Sequence, residues 1–350
     1  MTGIIVDAHL DLGYNAVALG RDLRLPLEEL RARERQGQVK NTCMVTFPEL
    51  RRGNVAIVGG SLFVEPAHSP WLAAGEGYHN AEEAYLQART QLETYRRWSD
   101  EGELRFLRTL ADLDATLSAW ETSPGAIGLF LVLEGAAPIR SPAEVGWWAE
   151  QGARGVGLTW AAGTPYAGGN AAPGPLTDEG RALLREMAAL NLLLDISHLW
   201  EAAAYDALER YPGPVAATHA NPRALREGAR QLPDRLIQQL AERDGVIGVI
   251  PFNMMLSESW RRDEPRLPLP RVIEAIDHVC QVTGSARYVG LGTDADGGMG
   301  LEAAPLGLDS AADWGKIAAL LRERGYAEAD IAAILHDNWL RLMRAVLTNF

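Results

Sequence analysis

Ile4-Ile-Val-Asp-Ala-His9-Leu-Asp11 is an apolar run that ends in side chains able to bind a metal ion. The same kind of ending recurs along the chain, where apolar runs lead into Leu-Glu134-Gly, Asp-Ile-Ser-His198, Ala-Thr-His219-Ala-Asn and Leu-Gly-Thr-Asp294-Ala-Asp296-Gly. Side chains that each follow a different strand can converge only if the strands are parallel and share one end. The pattern therefore predicts a barrel with a metal centre at the carboxyl ends of its strands.

Eight apolar, β-rich runs alternate with amphipathic segments, which is typical of a (β/α)8 TIM barrel, an α/β fold. The runs are continuously apolar, as expected for parallel strands that are buried on both faces. The predicted strands cover residues 4–8, 56–64, 127–133, 155–159, 192–196, 215–218, 246–251 and 288–292. The predicted helices between them include residues 81–98, 142–151, 178–190, 201–211, 234–243 and 269–283.

The whole chain, residues 1–350, is predicted to be one domain, because no linker, repeat or low-complexity stretch divides it. Barrels of this class commonly reach such a length as a single domain. Residues 311–347 are expected to form two extra C-terminal helices that close the barrel. Residues 39–48 are expected to add a strand or a hairpin, and residues 253–268 a flap over the active face.

The composition excludes several classes of partner. A formal net charge of −13 argues against nucleic acid, because phosphate backbones require a basic face. Cys43 and Cys280 are far apart, which suggests neither a disulfide framework nor a thiolate zinc site. The early first strand leaves no room for a signal segment, and no run reaches the roughly 18 apolar residues that span a membrane. We therefore expect a cytoplasmic protein without a membrane partner, and leave open whether it is a monomer or a homodimer.

Five residues are candidate metal ligands. His9 and Asp11 are two residues apart, so on a strand both side chains point to one face and can chelate one cation. Glu134 follows an apolar run, where a carboxylate is unfavourable unless it is paired or bound to metal. His198 and His219 each close a further strand. A lone histidine there is more often a satisfied core residue, so it is the shared placement that favours ligation.

The number and type of these candidates point to two ions. Imidazoles and carboxylates around an open face suit Zn²⁺ or a similar ion. Five ligands exceed one tetrahedral site, which predicts two ions bridged by a carboxylate and about 3.5 to 4 Å apart. Such a pair lowers the pKa of bound water towards roughly 7 and gives a hydroxide nucleophile. The chain has only Lys40 and Lys316 as lysines, and neither follows a core strand, which leaves Glu134 as the bridge.

Taken in order, these motifs resemble the membrane (renal) dipeptidase family of zinc metallopeptidases, within the amidohydrolase superfamily. The resemblance covers nearly the whole chain and also rests on Arg230-Gln-Leu-Pro-Asp and Asp337-Asn338-Trp-Leu-Arg341. It implies a (β/α)8 barrel with His9, Asp11 and Glu134 on one zinc, and Glu134, His198 and His219 on the other. It further implies that Asp294 takes a proton from the metal-bound water and passes it to the leaving amine. Arg230 matches the arginine that grips the free carboxylate of the substrate.

The chain departs from the family pattern at Trp160. Relatives of the mammalian enzyme have at this position a histidine that helps to polarise the scissile carbonyl. Indole can donate one hydrogen bond but cannot be a cation, so the metals must contribute more or the substrate range has shifted. We expect Trp160 to line the substrate pocket, the alternative being a packing role under a loop.

Two further assignments have alternatives. Arg230 has Arg223 and Arg226 close by in sequence, so it could instead be a solvated arginine at a helix end. Asp296 is the next candidate for a catalytic base after Asp294. A turn residue before Gly297 and Gly298 is the favoured interpretation of Asp296.

These observations predict an enzyme, a binuclear zinc dipeptidase that hydrolyses small dipeptides with a free C-terminal carboxylate through a metal-bridging hydroxide. Other divalent ions are the alternative to zinc. One alternative is another hydrolase of the same superfamily, acting on N-acyl amino acids, cyclic amides or lactones. A second, from a different class, is a metal-bound binding protein without catalysis.

Overall fold

Parallel strands with continuously apolar sequences form the centre of the chain. A computed structural model describes residues 3–37, 41–69, 72 and 76–348. Within these ranges the strands are β1 (Ile5–Leu10), β2 (Val55–Phe63), β3 (Leu104–Phe106), β4 (Ile127–Glu134), β5 (Ala153–Gly157), β6 (Leu193–Asp195), β7 (Val215–Ala217), β8 (Val246–Val249) and β9 (Val289–Leu291). All residues of β1, β2 and β4 are buried, as predicted for strands covered on both faces.

The α-helices surround the strands and continue beyond the last one. They are α1 (Leu12–Val17), α2 (Leu27–Glu34), α3 (Phe47–Arg52), α4 (Ala81–Asp100), α5 (Leu110–Thr122), α6 (Val145–Glu150), α7 (Asp178–Ala189), α8 (Glu201–Arg210), α9 (Asp234–Glu242), α10 (Asn253–Leu256), α11 (Arg271–Thr283), α12 (Lys316–Arg324), α13 (Glu328–Ala332) and α14 (Asn338–Leu347). A π-helical turn, Ala333–Asp337, joins α13 to α14, so residues 316–347 contain the two predicted helical stretches. No helix in the described ranges has both the length and the apolar composition that crossing a bilayer requires.

Eight of the strands close into a barrel. Neighbouring strands follow the order β2, β1, β9, β8, β7, β6, β5, β4, and β4 pairs back onto β2 from Ile57↔Gly128 to Phe63↔Glu134. All of these pairings are parallel. The predicted (β/α)8 barrel is thus confirmed, and the carboxyl ends of the strands meet at one rim.

One strand and one helix between β2 and β4 were not predicted. β3 is only three residues long and pairs with the first part of β4, whereas β5 pairs with the second part. The β3 sequence, Leu-Arg-Phe, is too short for its alternating pattern to distinguish it from a loop. The helix α5 does carry a sequence signal, a capping box formed by Thr109 and Asp112.

The prediction of a strand or hairpin at residues 39–48 is wrong for the part that the structure describes, 41–48; residues 39 and 40 lie outside the described ranges. The backbone N–H groups of Met44 and Val45 donate to the Asp296 carboxylate at 3.0 and 2.9 Å. A buried side chain therefore satisfies backbone donors that a neighbouring strand would otherwise satisfy. α3 then begins at Phe47, with the Thr46 side chain as its N-cap.

Candidate metal centre

The predicted ligands all lie at the carboxyl rim of the barrel. His9 is the second-last residue of β1, and Asp11 follows that strand directly. Glu134 is the last residue of β4. His198 and His219 come three and two residues after the ends of β6 and β7. Because neighbouring parallel strands end at one rim, their ligand atoms converge.

His9, Asp11 and Glu134 form the first set of ligand atoms, which lie within 4.8 Å of one another. His9 Nε2 is 3.0 Å from Glu134 Oε2 and 3.6 Å from Asp11 Oδ1. The Ser61 hydroxyl donates to Asp11 Oδ1 and orients that carboxylate. The side chains are almost fully removed from solvent, His9 being 0% and Asp11 5% exposed.

Glu134, His198 and His219 form the second set, also within 4.8 Å. Glu134 Oε1 is 3.1 Å from His198 Nε2 and 3.4 Å from His219 Nε2. The two imidazole Nε2 atoms are 3.0 Å apart. The two sets therefore meet at Glu134, with one carboxylate oxygen facing each.

These separations fit zinc ligation. Donor atoms about 2.0–2.2 Å from a tetrahedral zinc stand roughly 3.3–3.6 Å from one another. The contacts within the two sets range from 3.0 to 3.6 Å. The donors are imidazole nitrogens and carboxylate oxygens, which zinc accepts. The described residues thus offer two overlapping sites of suitable size and chemistry.

The electrostatics of the chain alone also favour bound cations. Burial and the neighbouring charge of Asp11 together raise the pKa of Glu134 to about 7, although His9 acts in the opposite direction. Burial likewise raises the pKa of Asp294 well above its usual range, with the charges of Asp11 and Glu134 adding to the effect. The charge of Asp11 thus opposes the ionisation of Glu134 and Asp294, and bound cations would reverse that opposition.

Asp294 lies beside both sets, because a carboxylate oxygen of Asp294 is within 4.8 Å of ligand atoms of His9 and His219. Its backbone is in the left-handed region at φ 54°. A Cβ at Gly297 would come within 2.0 Å of Asp294 Oδ1, so the glycine leaves room for this carboxylate. Asp294 is 9% exposed and thus largely shielded from bulk water.

Arg230 reaches the same place from the loop after β7. Its Nη1 donates to the Ser197 carbonyl and its Nη2 to the His219 carbonyl, both at 2.8 Å. These bonds use two of the five guanidinium N–H groups, so further donors can bind a ligand. Burial lowers the pKa of Arg230, which the charges of Asp294 and Glu134 oppose. Arg223 has another contact, a 2.8 Å ion pair with Glu201.

Three aromatic side chains, Trp160, Phe63 and Tyr14, contact one another beside the second set, and we call them the aromatic wall. The indole ring centroid of Trp160 is 6.1 Å from the His198 ring and 5.1 Å from the Phe63 ring. Phe63 in turn contacts Tyr14 at 5.0 Å. Trp160 therefore stands next to a candidate ligand, as expected for a residue that lines a substrate pocket.

The family model described as "Membrane dipeptidase (Peptidase family M19)" matches residues 2–349. The chain belongs to peptidase family M19. It is therefore a metallo-dipeptidase by family, a hydrolase whose activity depends on metal. The resemblance inferred from the motifs is confirmed.

Individual relatives agree with this assignment. "Dipeptidase aclJ" of Aspergillus oryzae is 27% identical over 304 residues, which cover 85% of this chain and 69% of that protein. A metallopeptidase of Rhodobacter sphaeroides, solved with a phosphinate mimic of the dipeptide L-Ala-D-Ala, has a TM-score of 0.80 at 23% identity, with 99% of this chain and 100% of that chain covered. The probable dipeptidase PvdM of Pseudomonas aeruginosa has a TM-score of 0.81 at 17% identity, covering 100% and 96%. The two structural likenesses establish the fold.

Among the described residues of this M19 chain, Asp296 belongs to neither set of candidate ligands. It is 3% exposed and accepts hydrogen bonds from the backbones of Met44 and Val45 and from the Cys43 thiol. Its φ of 65° is that of a tight turn. The favoured interpretation as a turn residue fits these contacts, and the carboxylate also anchors the segment before α3.

Several polar residues behind the candidate ligands were not predicted from the sequence. Thr218, Asp195 and Asn170 contact the candidate histidines or the residues next to them. Threonine and asparagine have no spacing that distinguishes such a role from a turn or a cap. The one available signal was the position of Thr218, directly before His219 at the end of a strand.

Proposed function

We propose that the chain is a binuclear zinc dipeptidase that hydrolyses small dipeptides with a free C-terminal carboxylate. The observation that carries the proposal is the orientation of Glu134. Its Oε2 lies 3.0 Å from His9 Nε2 and its Oε1 lies 3.1 Å from His198 Nε2. A carboxylate that faces two ligand sets in this way is suited to bridge two ions.

Two zinc ions held by the two sets would supply a water molecule activated at neutral pH and positive charge for the scissile carbonyl. Asp294 is proposed to accept the proton that the water gives up and to donate it to the leaving amine. Its closeness to His9 and His219 supports this role. A positioned carboxylate of this kind contributes typically 10²- to 10⁴-fold to a rate.

Arg230 is proposed to bind the free carboxylate of the dipeptide. Its two carbonyl contacts, at Ser197 and His219, hold the guanidinium beside the second set. A planar guanidinium can bind a carboxylate through two parallel hydrogen bonds. The distance between that carboxylate and the scissile bond would then restrict substrates to short peptides.

Trp160 supports a second candidate function. A neutral indole 6.1 Å from the His198 ring cannot provide the positive charge of a carbonyl-polarising histidine. Lactones would tolerate this change best, because an ester carbonyl is more reactive than an amide carbonyl. Cyclic amides and N-acyl amino acids contain amide bonds like those of dipeptides and belong to this candidate only through the shared metal centre. The two candidate functions share the metals and differ in the substrate.

The test combines metal analysis with a substrate panel. Protein prepared without chelator should contain close to two zinc ions per chain. It should cleave dipeptides with a free carboxylate, and it should cleave the same dipeptides with an amidated C-terminus much more slowly. A reproducible single ion in a fully active sample would exclude the binuclear assignment.

Equal cleavage of free and amidated dipeptides would exclude the role of Arg230. Preference for lactones or N-acyl amino acids would favour the second candidate. Full metal content without hydrolysis of any member of the panel would favour a binding protein. Cell fractionation and light scattering test the further proposals of a cytoplasmic location and a homodimer.

A further inference from the structure

Each candidate histidine has a hydrogen-bond partner on the ring nitrogen that faces away from Glu134. His198 Nδ1 is 2.9 Å from the side-chain oxygen of Asn170. His219 Nδ1 is 2.9 Å from Thr218 Oγ1, and His9 Nδ1 is 3.3 Å from that same atom. One hydroxyl therefore contacts a histidine of the first set and a histidine of the second.

The proton of the Thr218 hydroxyl is directed away from both rings. Thr218 Oγ1 donates to Asp195 Oδ2. Asp195 Oδ1 accepts three hydrogen bonds. The donors are the backbone N–H of Thr218 at 3.0 Å, the backbone N–H of Ser197 at 3.0 Å and the hydroxyl of Ser197 at 2.5 Å. Because all of these partners donate to Asp195, its carboxylate acts only as an acceptor, and the Thr218 hydroxyl proton must point towards it. The Thr218 oxygen is left with two lone pairs for the two Nδ1–H groups.

We infer that Thr218 is a shared positioning residue that fixes the Nδ1-protonated tautomer of His9 and His219 together. In that tautomer the Nε2 lone pairs point towards Glu134, where each metal ion of the proposed function would lie. The inference rests on the proposed two-ion centre. The rings are also stacked, with centroids 3.6 Å apart, so a change in one orientation affects the other. Thr218 thereby couples the two candidate sites through one oxygen atom.

A second aspartate–threonine pair in the barrel provides a matched comparison. The Thr293 backbone N–H and hydroxyl donate to the Asp7 carboxylate, as those of Thr218 do to Asp195. Thr293 and Thr218 are 0% and 2% exposed. The hydroxyl of Thr293 has the Ala295 backbone as its other described contact, rather than an imidazole. Loss of this hydroxyl should affect folding without changing a tautomer.

The experiment measures zinc affinity by competition with a chromogenic chelator, starting from metal-free protein. Thr218→Val should weaken both binding steps, by about 10- to 100-fold as for other partners of ligating histidines. Thr218→Ser keeps the hydroxyl and should bind zinc nearly as the wild type does. Thr293→Val should lower the Tm of the metal-free protein to a similar degree but leave both affinities unchanged. Asn170→Ala should weaken one step only, since Asn170 contacts only His198 of the three candidate histidines.

Three results would overturn the inference. These are unchanged affinities in Thr218→Val, a loss confined to one step, or an equal loss in Thr293→Val. A wild type that binds two ions but cleaves no dipeptide would overturn the proposed function and leave the role of Thr218 standing. A wild type that binds a single ion would overturn both.

A spectroscopic measurement covers the case in which Thr218→Val does not fold. In zinc-loaded wild-type protein labelled with ¹⁵N-histidine, His9 and His219 should show protonated Nδ1 and zinc-bound Nε2. Thr218→Ser should preserve both signals. Zinc bound through Nδ1 of either ring would contradict the inference without any need for the valine variant.

Discussion

The first and second ligand sets share Glu134 but differ in charge. The first set has two carboxylates and one imidazole, whereas the second has one carboxylate and two imidazoles. Burial lowers the pKa of His9, but the charges of Glu134 and Asp11 outweigh it and raise the pKa well above its usual range. Burial and the charge of Arg230 both lower the pKa of His198. Positive charge is thus stabilised at the first set and opposed at the second.

Because of this difference in charge, we expect the two sets to have different roles. A cation should bind more tightly at the first set, where two carboxylates attract it and solvent is excluded. The second set lies next to Arg230 and Trp160, where the substrate would bind. We therefore expect the first ion to be the structural anchor of the pair and the second to be the exchangeable one.

The largest effect should come from Glu134→Gln, which removes the ligand that both sets share. Glutamine offers one carbonyl oxygen and an N–H₂ group, so it cannot give an anionic oxygen to each side. Both ions should be lost and hydrolysis abolished. Elemental analysis and a dipeptide assay on one preparation measure the two effects.

Glu49→Gln is the matched control for this change. Glu49 is a comparably buried carboxylate on α3, 7% exposed, and it contacts Arg52 and Ser310 instead of a histidine. The control should keep both ions. Retention of two ions in Glu134→Gln would show that Glu134 is not the bridge.

The next largest effect is expected for Asp294→Asn. The variant should keep both ions and lose about 10²- to 10⁴-fold in kcat, because asparagine cannot accept the proton. Loss of one ion would instead make Asp294 a ligand, and the remaining ion would show which set it serves. Asp296→Asn is the control. It should lower the Tm, through its contacts with Met44 and Val45, and leave kcat nearly unchanged.

The residues of both sets could be predicted because each follows an apolar run. Continuous burial of runs such as Ile127–Glu134 fixes them as parallel strands, and parallel strands place their last residues together. The fold and the nearness of the candidate ligands followed from that one rule. The contrast in charge between the sets also follows from the residue types alone.

The rest depended on contacts that no local pattern encodes. Residues 41–46 look like a strand, but a carboxylate from Asp296, about 250 residues later, satisfies their backbone. In the sequence, nothing distinguishes Thr218 from other threonines at strand ends. Its role depends on the contact with His9, which lies 209 residues earlier in the chain. Side chains that act between distant elements require the three-dimensional structure, because their partners are not neighbours in sequence.

Arg230→Ala should weaken the binding of free dipeptides and reduce the difference in ion affinity between the two sets. A hydrogen bond to a charged group contributes about 1.5–3 kcal/mol, so KM for free dipeptides should rise roughly 10- to 100-fold. Amidated dipeptides should be little affected. Removing the positive charge should also raise the affinity of the second set for its ion, because the charge of Arg230 lowers the pKa of His198 and His219 and so opposes positive charge there.

Arg223→Ala is the control for the loss of an arginine from the same loop. Arg223 pairs with Glu201, so its removal should change neither KM nor the affinity for the second ion. Chelator titrations of the three proteins measure the affinities. If Arg230→Ala weakened the second ion, its guanidinium would have to support the histidines rather than oppose their charge.

The smallest effect is expected for Trp160→His, which changes the wall beside the second set. The indole faces His198 and Phe63, so its replacement should alter kcat or the preference among substrates. This kinetic effect should be well below the roughly 10²-fold that is the lower end for a positioned proton-transfer group. The change should shift the Tm by only a few degrees, since about 1 kcal/mol moves a chain of this size by roughly 2 °C.

Trp147→His separates a pocket role from a packing role. Trp147 is also partly exposed, but it packs on α6 against Tyr85 and Trp148, away from both sets. This control should lower the Tm and leave the kinetics of the folded fraction intact. If Trp160→His behaved in the same way, Trp160 would be a packing residue and the second set would lack an aromatic substrate wall. If activity rose in Trp160→His alone, the new imidazole would have restored the polarising group that the second set lacks.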